Sequence, residues 1–161
     1  MELLNYSGIL NPLKSLSDQI VYHPVKYKVL FGSTANEELQ ATTDRLENVR
    51  VDNGLLKITA KKENYGGKNY TSGRVRTYQK LDFTYGRVDI RAKMPSKAGT
   101  WPALWMLGSN YASLDWPKCG EIDILEHAGN RLNQIQSTVH HPDNYGSGDS
   151  NVTHELSLIH I

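Results

Sequence analysis

The segment Gly120-Glu121-Ile122-Asp123-Ile124-Leu125-Glu126-His127 places three carboxylates within six residues, spaced by branched apolar side chains. Such residues favour a β-strand. Side chains alternate faces along a strand, so Glu121 and Asp123 share one face. Glu126 would fall on the opposite face of a regular strand. One surplus residue in a β-bulge returns it to the first, and bulges are over-represented beside active sites. Leu125 is the expected surplus residue. The strand then carries three acids on one face and turns Ile122 and Ile124 toward a core.

Carboxylates in one row repel each other, so the arrangement costs stability. A purely structural strand would use it only as a solvated acidic edge that discourages pairing with other chains. Hydrolysis of a glycosidic bond has a stronger use for it. That reaction needs one carboxylate as nucleophile or base and a second as general acid. A third between them holds shared protons and separates the two pKa values. Four effective strand steps set the outer Cα atoms roughly 13 Å apart at about 3.3 Å per step. Glutamate side chains leaning inward can close that to the roughly 5–5.5 Å between carboxyl groups that a retaining mechanism uses.

The rest of the chain has to supply a sheet for this strand. Val25, Tyr27, Val29 and Phe31 alternate with Lys26 and Lys28, as in a strand. Asn48–Val51 reads as another, followed by the turn signal Asp52-Asn53-Gly54 and by alternating Leu56, Ile58 and Ala60. Residues 63–73 read as a Gly/Asn/Tyr loop, and Arg74–Tyr78 as a strand. Val88, Ile90, Ala92 and Met94 alternate with Arg87, Asp89, Arg91 and Lys93, a half-buried strand with a charged outer face. Trp101–Leu107 is apolar on both sides and is expected to be a central strand covered on both faces. Gln134–His140 is the strand after the acids, with Gln136, Thr138 and His140 on one face, and residues 141–153 read as a loop. Strands at hairpin spacing without a convincing long helix predict an all-β chain, an antiparallel β-sandwich or jelly roll.

Composition narrows the function. Length 161 suits one domain able to bury a core. A net charge of +1 carries no footprint for nucleic acid, and no apolar run is long enough to span a membrane. The single Cys119 forms no internal disulfide and builds no metal site alone, and the six histidines show no metal-ligand spacing. Nine tyrosines and three tryptophans beside thirteen glycines suit aromatic-lined β surfaces. Residues 1–10 show no secretory signal.

The segment from about Asn36 to Gly148 resembles family 16 of the glycoside hydrolases, in particular laminarinase-like endo-β-1,3-glucanases. The runs that carry the resemblance are Glu38-Leu39-Gln40, Glu47-Asn48-Val49, Asn69–Arg74, Tyr85-Gly86-Arg87, Trp101–Gly108 and Gly120–Glu126, the last matching the family's Glu-x-Asp-x-x-Glu signature. The resemblance implies a concanavalin A-like jelly roll with an open cleft and a retaining mechanism. It implies that Glu121 is the nucleophile, Glu126 the acid/base and Asp123 a helper bonded to the nucleophile. It places Asn48, Arg76, Trp101, Trp105 and His140 at sugar contacts. Trp116, in a loop, is expected either to rim the cleft or to pack. His140 and His141 point to opposite faces, so at most one of them belongs to the cleft.

The implied partner is a β-glucan, β-1,3-linked or mixed β-1,3/1,4-linked, acted on by a monomer. No cofactor is required; the family's calcium on the outer face of the sheet has no ligands identifiable here. The substrate class implies an extracellular or periplasmic protein. Residues 1–30 read as an ill-defined lead-in, 31–154 as a partial catalytic domain, and 155–161 as a non-native tail similar to a translated sequencing adaptor. The sandwich is therefore expected to be incomplete at its C-terminal end, which leaves an inactive fragment as one alternative. A non-catalytic glucan-binding module is the other, and the three retained acids weigh against it.

Overall fold

The computed structural model describes residues 2–3, 37–78, 81–146 and 151–155. The described strands are β1 (Glu2–Leu3), β2 (Gln40–Thr42), β3 (Val49–Asp52), β4 (Leu55–Ile58), β5 (Lys61–Tyr65), β6 (Lys68–Ser72), β7 (Ala92–Lys93), β8 (Ala103–Leu107), β9 (Glu121–Glu126), β10 (Gln134–His140) and β11 (Asn151–Glu155). The predicted all-β class holds. The expected strand at Val25–Phe31 lies outside the described residues. The chain forms two compact units, the first ending at Lys93 and the second beginning at Met94.

The first unit holds two sheets, ordered β3-β4-β1-β7 and β2-β6-β5. Its pairings are antiparallel except for β2 with β6, which run parallel. The predicted turn closes the β3–β4 hairpin, with Asn53 and Gly54 both at positive φ (51° and 74°). That two-residue geometry matches the right-handed twist of the flanking strands and favours Asn-Gly.

The expected loop over 63–73 is instead most of a second hairpin, β5–β6, turning at Gly66-Gly67. Its strands lack hydrophobic alternation because they enclose polar groups. Asn48, fully buried, donates from Nδ2 to Thr59 O at 3.0 Å and to Thr71 Oγ1 at 2.9 Å. Its Oδ1 accepts from Thr43 Oγ1 and from Arg45 Nη2. Thr71 Oγ1 in turn donates to Glu63, which also pairs with Arg45. The Thr71 hydroxyl, then the Arg45 guanidinium, holds the Glu63 carboxyl below its ordinary pKa. Arg74–Tyr78 lies outside the described strands, and of the Val88–Met94 run only Ala92–Lys93 pairs as a strand, with β1.

The second unit is a single antiparallel sheet ordered β11-β10-β9-β8. Gln134–His140 is a strand over the predicted range. Part of the expected 141–153 loop, however, joins β11, which pairs with β10 from Gln134↔Glu155 to Thr138↔Asn151. The predicted bulge is present in β9. Opposite β10, Gln136↔Glu126 is followed by Thr138↔Asp123, so three steps on β9 face two on β10. Opposite β8, Leu104 pairs with Leu125 and Trp105 with Asp123, which leaves Ile124, not Leu125, as the surplus residue. Ser137 Oγ donates to the Ile124 carbonyl at 2.9 Å and supplies the partner that the bulge removes from the ladder.

The face opposite the acids carries Met106, Ile122 and Val139 in one cross-strand row. Ile122 was expected in a core, yet it is 45% exposed. Nor is Trp101–Leu107 covered on both faces. β8 is the margin of this sheet, and Trp105 stands on the open acidic side, 38% exposed.

Candidate active site

Register across β8, β9 and β10 arranges the acidic face in three rows. They are Leu107–Glu121–His140, Trp105–Asp123–Thr138 and Ala103–Glu126–Gln136. Because the bulge absorbs one residue, all three acids fall in rows of the same parity and share a face. Two strand steps on β10, from His140 to Thr138 and from Thr138 to Gln136, separate successive rows.

Each acid has its own partner. Trp116 Nε1 donates to Glu121 Oε2 at 2.6 Å, and Trp101 Nε1 donates to Glu126 Oε1 at 3.0 Å. Among the described residues no donor reaches the second oxygen of either glutamate. Asp123 is 5% exposed, and its Oδ2 lies 3.0 Å from His140 Nε2. Burial pushes the Asp123 carboxyl up to about 6, Glu121 and Glu126 on either side push the same way, and His140 opposes them. A buried carboxylate between two others cannot ionise without paying for desolvation and repulsion together.

The two ends of the site are built differently. At the Glu121 end, Gly108 N donates to Gly120 O at 3.1 Å and closes the neck of the 109–119 loop. A Cβ on Gly108 would stand 2.0 Å from the Cys119 carbonyl oxygen, so only glycine permits this approach. The loop brings the Trp116 ring edge-on to His140 at 5.8 Å and to Tyr145 at 5.4 Å between centroids. At the Glu126 end lies an open depression of about 320 Å³, lined by Trp101, Glu126, Arg131, Gln134, Gln136 and Thr153 among others.

Of the residues predicted for the site, the second unit brings together Glu121, Asp123, Glu126, Trp101, Trp105, Trp116 and His140. His140 rather than His141 belongs to this face, and its Nε2 is already engaged by Asp123. Its buried Nδ1 has no hydrogen-bond partner among the described residues. Asn48 and Arg76 belong to the first unit. Asn48 exposes no surface and spends its amide on the hydrogen bonds given above, so the expected sugar contact has no accessible atom to carry it. Arg76 is exposed, with its guanidinium 5.0 Å from the Tyr78 ring. Ser137 and Arg131 escaped sequence reasoning; a lone serine in a strand and an arginine in a turn carry no periodic signal. Among the described residues no three His, Cys, Asp or Glu groups converge to hold a metal ion.

These features coincide with a known family. The model of Glycosyl hydrolases family 16 matches residues 36–158. The chain belongs to that family. It is 45% identical over 139 residues to a beta-glucanase from Rhodothermus marinus, covering 84% of this chain and 45% of the relative. It is 39% identical over 124 residues to glucan endo-1,3-beta-glucosidase A1 from Niallia circulans, covering 70% of this chain and 18% of that protein. The laminarinase catalytic domain from Thermotoga maritima MSB8 superposes with a TM-score of 0.70 at 43% identity, over 75% of this chain and 49% of that one. The chain thus spans half or less of the length of these relatives.

Proposed function

We propose that this site hydrolyses internal β-1,3-glucosidic bonds of a β-glucan by a retaining double displacement. The observation that carries the reading is the bulged strand, which puts Glu121, Asp123 and Glu126 on one open face with an indole N–H on each outer glutamate. The relatives named as a laminarinase and a glucan endo-1,3-beta-glucosidase support β-1,3-glucan as the substrate.

In the first step a Glu121 oxygen attacks the anomeric carbon and the glycosidic C–O bond breaks. Glu126 gives its proton to the departing oxygen, leaving a glucosyl ester on Glu121 and a shortened chain with a free hydroxyl. In the second step Glu126 takes a proton from water, whose oxygen displaces Glu121 and restores the original anomeric configuration. Asp123 accommodates the shared charge. Protonated, it can donate a hydrogen bond and relieve repulsion between its neighbours. Trp105, in its row, offers an apolar ring face to a pyranose. The depression beside Glu126 is on the leaving-group side, where Arg131, Gln134 and Gln136 supply polar groups for sugar hydroxyls.

The test is reducing-sugar release from laminarin, with Glu121→Gln as the blank. Release that vanishes in the variant supports the reading. Equal release from both chains refutes the assignment of Glu121.

A further inference from the structure

Trp116 has a geometry that neither a sugar-stacking nor a simple packing role requires. Its N–H points at one named oxygen of Glu121, at 2.6 Å, the shorter of the two indole contacts to the acids. The same ring rests edge-on against His140, and His140 holds Asp123 at 3.0 Å. Tyr145 packs edge-on against it as well. The loop that carries it is pinned by the Gly108–Gly120 backbone bond. Glu121 and Asp123 are thus linked through Glu121–Trp116–His140–Asp123 as well as through the strand. Glu126 is outside this chain of contacts; its indole partner is Trp101.

We propose that Trp116 is a positioning residue for the nucleophile. By binding Oε2 of Glu121 it leaves Oε1 as the attacking oxygen, and through His140 it holds Asp123 in the same register. The inference rests on the hydrolase reading above. A charge-assisted N–H···O bond is shorter and stronger than a neutral one. Holding a reacting atom in line is worth large rate factors, so a displacement of about 1 Å is enough for a hundredfold loss. The ring edge and the donor are separate contributions. Trp116→Phe keeps an aromatic edge against His140 and Tyr145 and removes only the N–H.

Two measurements on the full chain test this. The first is the indole ¹H–¹⁵N spectrum, in which three tryptophans give three resonances and Trp116→Phe identifies one of them. Glu121→Gln should move that resonance upfield, because a charged acceptor becomes a neutral one. An unmoved resonance overturns the proposal. The second is laminarin kinetics. Trp116→Phe should lower kcat roughly 10- to 100-fold with KM changed by less than about twofold. A raised KM at unchanged kcat would make Trp116 a sugar contact and would also overturn it. An inactive unsubstituted chain would count against the hydrolase reading, and the indole resonance would still decide whether Trp116 holds Glu121.

Discussion

Replacing Asp123 by Asn exposes the energetic cost of the acidic row. The carboxyl is raised from its ordinary 3.8 to about 6 by burial and by its two acidic neighbours, against the pull of His140. At about 1.4 kcal/mol per pH unit, that gap amounts to about 3 kcal/mol. The sign follows from proton counting. Well below the ordinary 3.8 the group is protonated in both the folded and unfolded chains and contributes nothing. As pH rises toward 6 the unfolded chain loses the proton first, so the native state binds more protons and loses stability. Above about pH 6 both states are ionised and the loss is complete. Asparagine has no such proton. Unfolding free energies from urea titrations at pH 3.5 to 7.5, followed by tryptophan fluorescence, should therefore diverge with pH. The variant should gain about 2 kcal/mol relative to the parent between pH 4 and 6, on top of an offset from the lost His140 pairing. Laminarin hydrolysis should fall at the same time, because Asn holds no proton to share. A stability difference that is flat with pH, or that moves in favour of the parent, would refute the account of Asp123 as a carboxyl whose ionisation its surroundings oppose.

Three further outcomes follow from the packing and the chemistry. Asn48→Ala removes the side-chain partner of Thr43 Oγ1 and of the Thr59 carbonyl and takes one bond each from Thr71 and Arg45; it should cost about 3 kcal/mol in urea unfolding, whereas a loss under about 0.5 kcal/mol would show that the hub is not structural. Ser137→Ala removes the hydroxyl that satisfies the Ile124 carbonyl; it should cost about 1 kcal/mol and speed amide hydrogen exchange around the bulge, read by mass spectrometry. Glu126→Ala should lose laminarin hydrolysis but recover turnover of an activated aryl glycoside when azide replaces the deprotonated water, and failure of azide to accelerate that reaction would remove the acid/base role.

What sequence reasoning recovers here, and what it misses, divides along the chemistry of burial. The β9 bulge was legible because period-2 alternation and three acids cannot coexist on one face without a surplus residue. Asn53-Gly54 was legible because its backbone geometry belongs to few residue types. The β5–β6 hairpin was not, since Lys61–Tyr65 and Lys68–Ser72 fold around Glu63, Thr71 and Asn48 rather than around aliphatic side chains. Alternation of hydrophobicity cannot report a strand whose inward groups are polar. Polar burial bears on Asn48 too, which the family resemblance places at a sugar contact and which makes four hydrogen bonds within the fold.

The surplus residue itself was misplaced, and the reason bears on function. Leu125 and Ile124 are equally apolar, so composition cannot say which one drops out of the ladder. Ser137, thirteen residues away, offers a donor to the carbonyl of Ile124, the residue without a partner in the ladder to β8. Leu125 is left free to pair with Leu104, and the chain from Leu125 to Glu126 stays in register with β8. Trp101, just before β8, can then place its indole on Glu126. Had Leu125 been expelled instead, the break would sit directly beside Glu126. Expelling Ile124 puts the break beside Asp123 and keeps Leu125 and Glu126 paired with Leu104 and Ala103.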